Sequence, residues 1–164
     1  MTDPHQLRPD HAPTPFTAAE IRAGCPAGRT VLLRIDETGT GDPAPRYRST
    51  RFLACDADGA DQDRGGTDAD GTAIEPRIAY RSSWLDLQAP ASFPAAVTTI
   101  ESDRVELPIG GLDCLRYRVT DPVDGTTTTF WFATELPGMP VRVVSEHGGG
   151  AVSTMTMVGD EITR

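Results

Sequence analysis

The sequence predicts a mainly β fold with an α+β margin: a curved antiparallel meander sheet carrying one or two short helices. Three observations lead there. From about Val97 onward, apolar residues recur at every second position in short runs, the period of a half-buried strand. Turn-forming pairs separate those runs at regular intervals. The 164 residues also include 16 Gly and 14 Pro, which break the chain too often for long helices.

The length fits one domain with a core that needs no metal or disulfide staple. Residues 1–15 carry four prolines and few apolar side chains, and are expected to form a disordered tail. Residues 16–164 then read as a single β-rich domain, with an acidic flexible loop at 56–71.

Order starts at Phe16. Thr17 and Glu20 have the spacing of a capping box, and Phe16 can staple onto Ile21. Gly24 and Pro26 end this helix early. A strand over 30–36 places Val31, Leu33 and Ile35 on one face. A second over 46–55 places Arg48, Thr50 and Phe52 together. A third is expected over 73–80. Ser83 and Asp86 then repeat the cap pattern of a short helix.

The second half is clearer. Val105, Leu107 and Ile109 alternate up to a turn placed at Gly110-Gly111. Leu115, Tyr117 and Val119 oppose Cys114, Arg116 and Arg118 on the next strand. Asp124-Gly125 makes the following turn. Residues 126–134 form a strand rich in β-branched threonine, with Phe130, Trp131 and Phe132 at its centre. Strands over 141–145 and 151–158 complete the sheet around the loop at His147.

Fifteen basic residues, every one an arginine, face 24 acidic ones, for a net charge of −9. That balance repels nucleic acid. The absence of Lys and Asn follows most simply from a GC-rich genome. No stretch is apolar enough for a membrane-spanning helix. Met1 to Thr14 lacks the apolar region of a signal peptide, so a cytoplasmic location is expected.

Catalytic chemistry finds little to use. His5 and His11 lie in the expected tail and His147 in a glycine-rich turn, so no catalytic residue, metal site or cofactor is assigned. The Asp56 to Asp63 loop sets oxygens two or three residues apart, as calcium requires, but lacks the glycine and glutamate positions of an EF-hand. Glu101, Asp103, Glu106 and Glu135 flank strands, where solvated carboxylates are common. The candidate ligand-binding residues are Tyr117, Phe130, Trp131 and Phe132, with Arg116 and Arg118, whose guanidinium groups could join Arg46 and Arg48 in a basic patch if the strands align.

Three segments resemble uncharacterised bacterial β-sheet proteins of the lipoprotein-carrier-like kind. They are Pro108 to Tyr117, Thr129 to Ala133 and Leu136 to Arg142, within a stretch from about Val105 to Val158 that makes up roughly a third of the chain. The resemblance implies an open half-barrel, and such proteins are usually exported and bind acyl chains on the concave face. The leading expectation is therefore a non-enzymatic domain that holds a small apolar or amphipathic ligand, or a protein partner, on that face. One alternative is a small hydrolase or isomerase using carboxylates or His147 in a sheet cavity. Another is a structural module that forms a homodimer through the sheet.

Overall fold

The computed structural model describes residues 2–39 and 44–163. Nine antiparallel strands form one open, curved sheet: β1 Arg29–Thr38, β2 Arg46–Cys55, β3 Gly59–Thr67, β4 Ile78–Ser83, β5 Thr98–Leu107, β6 Gly110–Thr120, β7 Thr127–Ala133, β8 Arg142–Glu146 and β9 Val152–Ile162. Their spatial order is β4-β3-β2-β1-β9-β8-β7-β6-β5. The sheet is thus two meanders, β1 to β4 and β5 to β9, joined where the first strand pairs with the last. The sequence shows the hairpins but not this join, because the β1–β9 contact lies more than a hundred residues apart along the chain.

The helices α1 (Ala18–Gly24) and α2 (Trp84–Gln88) pack on the face of the sheet that carries Phe52, Tyr117 and Phe132, the face that the short β4–β5 link makes concave. Each starts with the expected capping box, Thr17 with Glu20 and Ser83 with Asp86. The link between β4 and β5, residues 84–97, holds α2 and two 3₁₀ turns and joins opposite edges of the sheet. Eight strand spacings of ~4.8 Å make a flat sheet of nine strands roughly 38 Å wide. Fourteen residues with this much helix and 3₁₀ turn reach only about 30 Å. A sheet bridged this way has to bend. A bulge between Leu32 and Leu33 in the β1–β9 ladder adds twist at its middle.

Two apolar clusters form the core. One gathers Phe16, Ile21, Phe52, Trp84, Tyr117 and Phe132 between sheet and helices. The other gathers Val31, Leu33, Val105, Cys114, Ala133, Val141 and Met157.

Several expectations need correction. The acidic segment 56–71 is not a flexible loop: residues 59–67 are β3, inside the sheet. Its sequence has almost no apolar residue, so periodicity is silent. Paired neighbours on both sides and salt links supply the stabilisation instead. Asp63 sits between Arg51 and Arg77, the latter at 2.8 Å. Asp56 and Asp61 both bind Arg81, at 2.8 and 3.0 Å. Three of the four carboxylates of that loop, Asp56, Asp61 and Asp63, are thus held by arginines. The strand expected over 73–80 begins at Ile78, and β5 begins at Thr98. The β5–β6 turn is Pro108-Ile109, since Leu107 pairs with Gly110. Proline's fixed φ favours that first central position, and Gly110 takes the positive φ of 128°.

The segment 1–15, expected to be disordered, is packed over its described residues 2–15. Buried Thr14 bonds the Phe16 carbonyl at 2.8 Å. The Tyr117 hydroxyl donates to the Pro13 carbonyl at 2.7 Å, and the Ala12 amide donates to Phe93 at 2.8 Å. Buried Gln88 is the anchor: it donates to the Pro4 carbonyl at 2.8 Å and Thr14 Oγ1 at 2.9 Å, and accepts from the Ala18 amide at 2.9 Å. Prolines lack N–H groups but keep carbonyls, and the buried polar side chains of the core need those acceptors. Replacing Gln88 with leucine is expected to cost about 3 kcal/mol, because three groups lose their partner. Urea denaturation reads this; a loss below ~0.5 kcal/mol, the size of an ordinary surface substitution, would mean that Gln88 does not hold the segment.

Candidate functional site

Alternation along the strands sends one set of side chains to the concave face, and cross-strand partners share it. Leu33 faces Arg48, Thr50 faces Arg64, and Phe52 faces Gln62. Gln62 in turn faces Tyr80 on the edge strand β4, and Phe130 stands on β7 in the other half of the sheet. Between this floor and the helices lies a partly open cavity of about 390 Å³. Leu33, Phe52, Phe130, Phe132 and Met155 line it from the sheet; Ile21, Leu87, Pro90, Ala91, Met139 and Pro140 line it from the covering segments. The volume lies at the small end of ligand pockets, enough for one slender molecule. Aromatic rings fix one wall: Phe130 lies 4.9 Å from Phe93 and 6.0 Å from Phe132, and Phe132 meets Tyr117 edge-on at 5.3 Å.

No Asp or Glu lines the cavity, although the chain has 24 of them. Its charged side chains are Arg48 and Arg64. Among the described residues eight arginines pair with carboxylates (Arg29, Arg34, Arg46, Arg51, Arg77, Arg81, Arg104 and Arg116), and neither cavity arginine is one of them. Arg64 instead stacks on the Tyr80 ring, 5.2 Å from its centre. Arg48 Nε is buried with no acceptor, and Gln62 Oε1 is buried with no donor. Cys25 also lines the cavity. Burial pushes its thiol up despite Arg29 nearby, so it stays protonated at neutral pH and is a poor nucleophile.

The structure divides the residues expected to bind ligand. Phe130 and Phe132 line the cavity. Tyr117 is buried behind them, its hydroxyl held by Pro13. Trp131, Arg116 and Arg118 lie on the opposite face, since alternation reverses them. There the Trp131 indole donates to Asp103 at 2.9 Å, Arg142 covers its ring at 5.0 Å, and Arg116 binds Glu101 and Asp103. The indole N–H bond is the main reason the Asp103 carboxyl is held below its ordinary value. Arg116 and Arg118 therefore do not join Arg48 in one patch.

Sequence reading named Arg48 only as a partner of Arg46, Arg116 and Arg118 in a basic patch, and passed over Gln62 and Arg64. Arg48 did carry a signal, because it alternates with Thr50 and Phe52 on what becomes an apolar face. Gln62 and Arg64 carried none, being in a strand whose composition resembles a loop. His147 is exposed in the β8–β9 turn, beside Asp124, and is not among the cavity residues. A hydrolase or isomerase that used carboxylates or His147 would find neither in this cavity.

No protein-family model matches the chain, and no curated protein matches it. Solved structures do. A candidate lipoprotein from Parabacteroides distasonis aligns with 84% of this chain and 97% of its own, at 9% identity and a TM-score of 0.51. The complex of Pseudomonas aeruginosa MucA and MucB aligns over 83% of this chain and 52% of the matched chain, at 8% identity and a TM-score of 0.56. A candidate exported protein from Bacteroides fragilis covers 84% and 98%, at 10% identity and a TM-score of 0.48. The expected cytoplasmic location is corrected here: the Parabacteroides distasonis neighbour is a candidate lipoprotein, which points away from the cytoplasm. At identities near a tenth the likeness concerns architecture alone: the chain has the open, curved antiparallel sheet of the lipoprotein-carrier-like β proteins.

Proposed function

We propose that this chain is a binding protein that holds one small apolar or amphipathic ligand between the concave face and helices α1 and α2. The observation that carries the reading is the cavity itself: about 390 Å³, walled by aromatic, methionine and aliphatic side chains and free of carboxylates. Transfer of an alkyl chain from water to such a space is worth ~0.8 kcal/mol per methylene. Ten or so carbons contribute about 8 kcal/mol before the cost of association, which takes at least about 4 kcal/mol, so the chain alone reaches about millimolar affinity and tighter binding needs a head-group contact.

Ala91 borders the cavity and leaves room for a larger side chain. Ala91→Phe is expected to fill it, lowering the affinity for a neutral naphthylamine probe at least tenfold while the melting temperature moves little. Unchanged probe binding by a folded Ala91→Phe protein would place the probe elsewhere and count against the cavity. Native mass spectrometry of the purified chain would show a ligand carried through purification.

A second reading is a protein partner. MucB, which shares the fold, is seen in complex with MucA. Here the edge strand β4 carries exposed Ile78, and Ile74 and Leu85 on either side of it along the chain are also exposed. An unpaired edge with apolar side chains is suited to adding a strand. Light scattering coupled to size exclusion tests the self-association version, for which a single monomer peak at high concentration would be the contrary result.

A further inference from the structure

We infer that the ligand is an anionic single-chain amphiphile, with its carboxylate or phosphate head on Arg48, Arg64 and Gln62 and its chain among Phe130, Phe132 and Met155. The inference rests on the reading of the cavity as a ligand site and adds the charge of the occupant. Four observations converge on it.

The first is an imbalance of charge. In a chain of net charge −9, the cavity has two arginines and no carboxylate. The second is an imbalance of hydrogen bonds. Arg48 Nε is buried without an acceptor, and Nη2 of the same guanidinium donates to Met155 Sδ at 3.9 Å, a weak acceptor. A guanidinium N–H buried in this way destabilises the empty protein, and sites that persist against such a cost are commonly binding sites. The third is Gln62, only 2% exposed, with Oε1 unpartnered. Turned either way, its amide suits a head group: the NH₂ donates to a bare oxygen and the carbonyl accepts from a hydroxyl. The fourth is register. Gln62 and Arg64 are two apart on β3 and share a face, and Arg48 on β2 is the diagonal neighbour of Arg64, two residues from its partner Thr50. These spacings let three side chains converge on one group. The Arg64 stack on Tyr80 holds that guanidinium above the cavity without neutralising it.

Competition for a bound neutral naphthylamine probe tests this on the full chain. Four C12 competitors are used below their micelle-forming concentrations: dodecanoate, dodecyl phosphate, dodecanol and dodecyltrimethylammonium. The anions are expected to bind at least about tenfold more tightly than the alcohol, and the cation more weakly still. The better of the two anions identifies carboxylate or phosphate as the head. In Arg48→Met the anion-to-alcohol ratio falls at least fivefold, while the ligand-free protein melts at a higher temperature, because an unpaired buried N–H is gone. Arg64→Gln lowers the same ratio and serves if Arg48→Met fails to fold. If wild type binds alcohol and anions equally, or the ratio survives both substitutions, the charge assignment falls and the cavity reading stands. If no competitor displaces the probe, both fall. A lower melting temperature in folded Arg48→Met would make Arg48 structural and overturn the assignment.

Discussion

Arg29→Ala is expected to lower the free energy of unfolding by about 3–5 kcal/mol, the cost of leaving one member of a buried ion pair alone. Arg29 is 2% exposed. Its guanidinium donates to both oxygens of Asp160, at 2.9 and 3.3 Å, to the Gly24 carbonyl at 3.1 Å and to the Pro137 carbonyl at 2.8 Å, and it reaches Cys25 Sγ at 3.1 Å. One side chain therefore ties together β1, β9, the end of α1 and the β7–β8 loop. These are the elements that close one side of the cavity, so the variant should also bind probe more weakly than its residual folded fraction explains. Arg29→Lys keeps the charge but not the planar fork, and should recover less than half of the loss. Chemical denaturation of the three proteins measures both quantities. A cost under 1 kcal/mol for Arg29→Ala would mean that water replaces the guanidinium freely.

The second large effect is alkaline unfolding. Burial pushes the Cys114 thiol from 9.0 up to about 11, and burial pushes the Tyr117 hydroxyl from 10.0 up to about 12. Both side chains are almost fully buried. In each case the folded value lies above the unfolded one, so the stability they carry is complete below the unfolded value. It is lost as pH rises towards the folded value: from 9 to 11 for Cys114 and from 10 to 12 for Tyr117. Two pH units correspond to about 2.7 kcal/mol for each group, or roughly 5 kcal/mol together. The raised Cys25 thiol adds in the same direction. Urea midpoints between pH 8 and 12 should therefore hold to about pH 9 and then fall steeply. Cys114→Ala should flatten the first part of the fall and Tyr117→Phe the second. Stability that stayed level to pH 11 would show that these groups ionise in place.

The two expectations use residues that the sequence made visible to different degrees. Tyr117 was legible as an inward residue, because it alternates with Leu115 and Val119 on a strand of ordinary β composition. Phe130 and Phe132 were legible for the same reason, and they do line the cavity. Strand alternation already sends one of three consecutive aromatics to the other face; Trp131 is that one, opposite Arg116, and so does not share the cavity face with Phe130 and Phe132. Arg29 and Asp160 gave no signal, since their pairing depends on β1 meeting β9. The β3 strand was invisible because salt links and flanking ladders, not side-chain hydrophobicity, hold it in place. Two of the three proposed head-group residues, Gln62 and Arg64, lie on that strand. Local periodicity thus located the apolar wall and missed the polar residues of β3, whose composition hides the strand, and the Arg29–Asp160 pair, which depends on β1 meeting β9.

The segment from 84 to 97 acts on the sheet as a string acts on a bow. It is fastened at the two outermost strands and is shorter than the flat sheet is wide, so its length sets how far the sheet is drawn. Ala91 and Phe93, which touch the ligand space or its aromatic wall, ride on the string. Inserting or deleting residues here would change the depth of the hollow without altering one strand register. The size of the occupant is in that sense encoded in a chain length, while its charge is encoded in side chains of β2 and β3, and the two can vary independently.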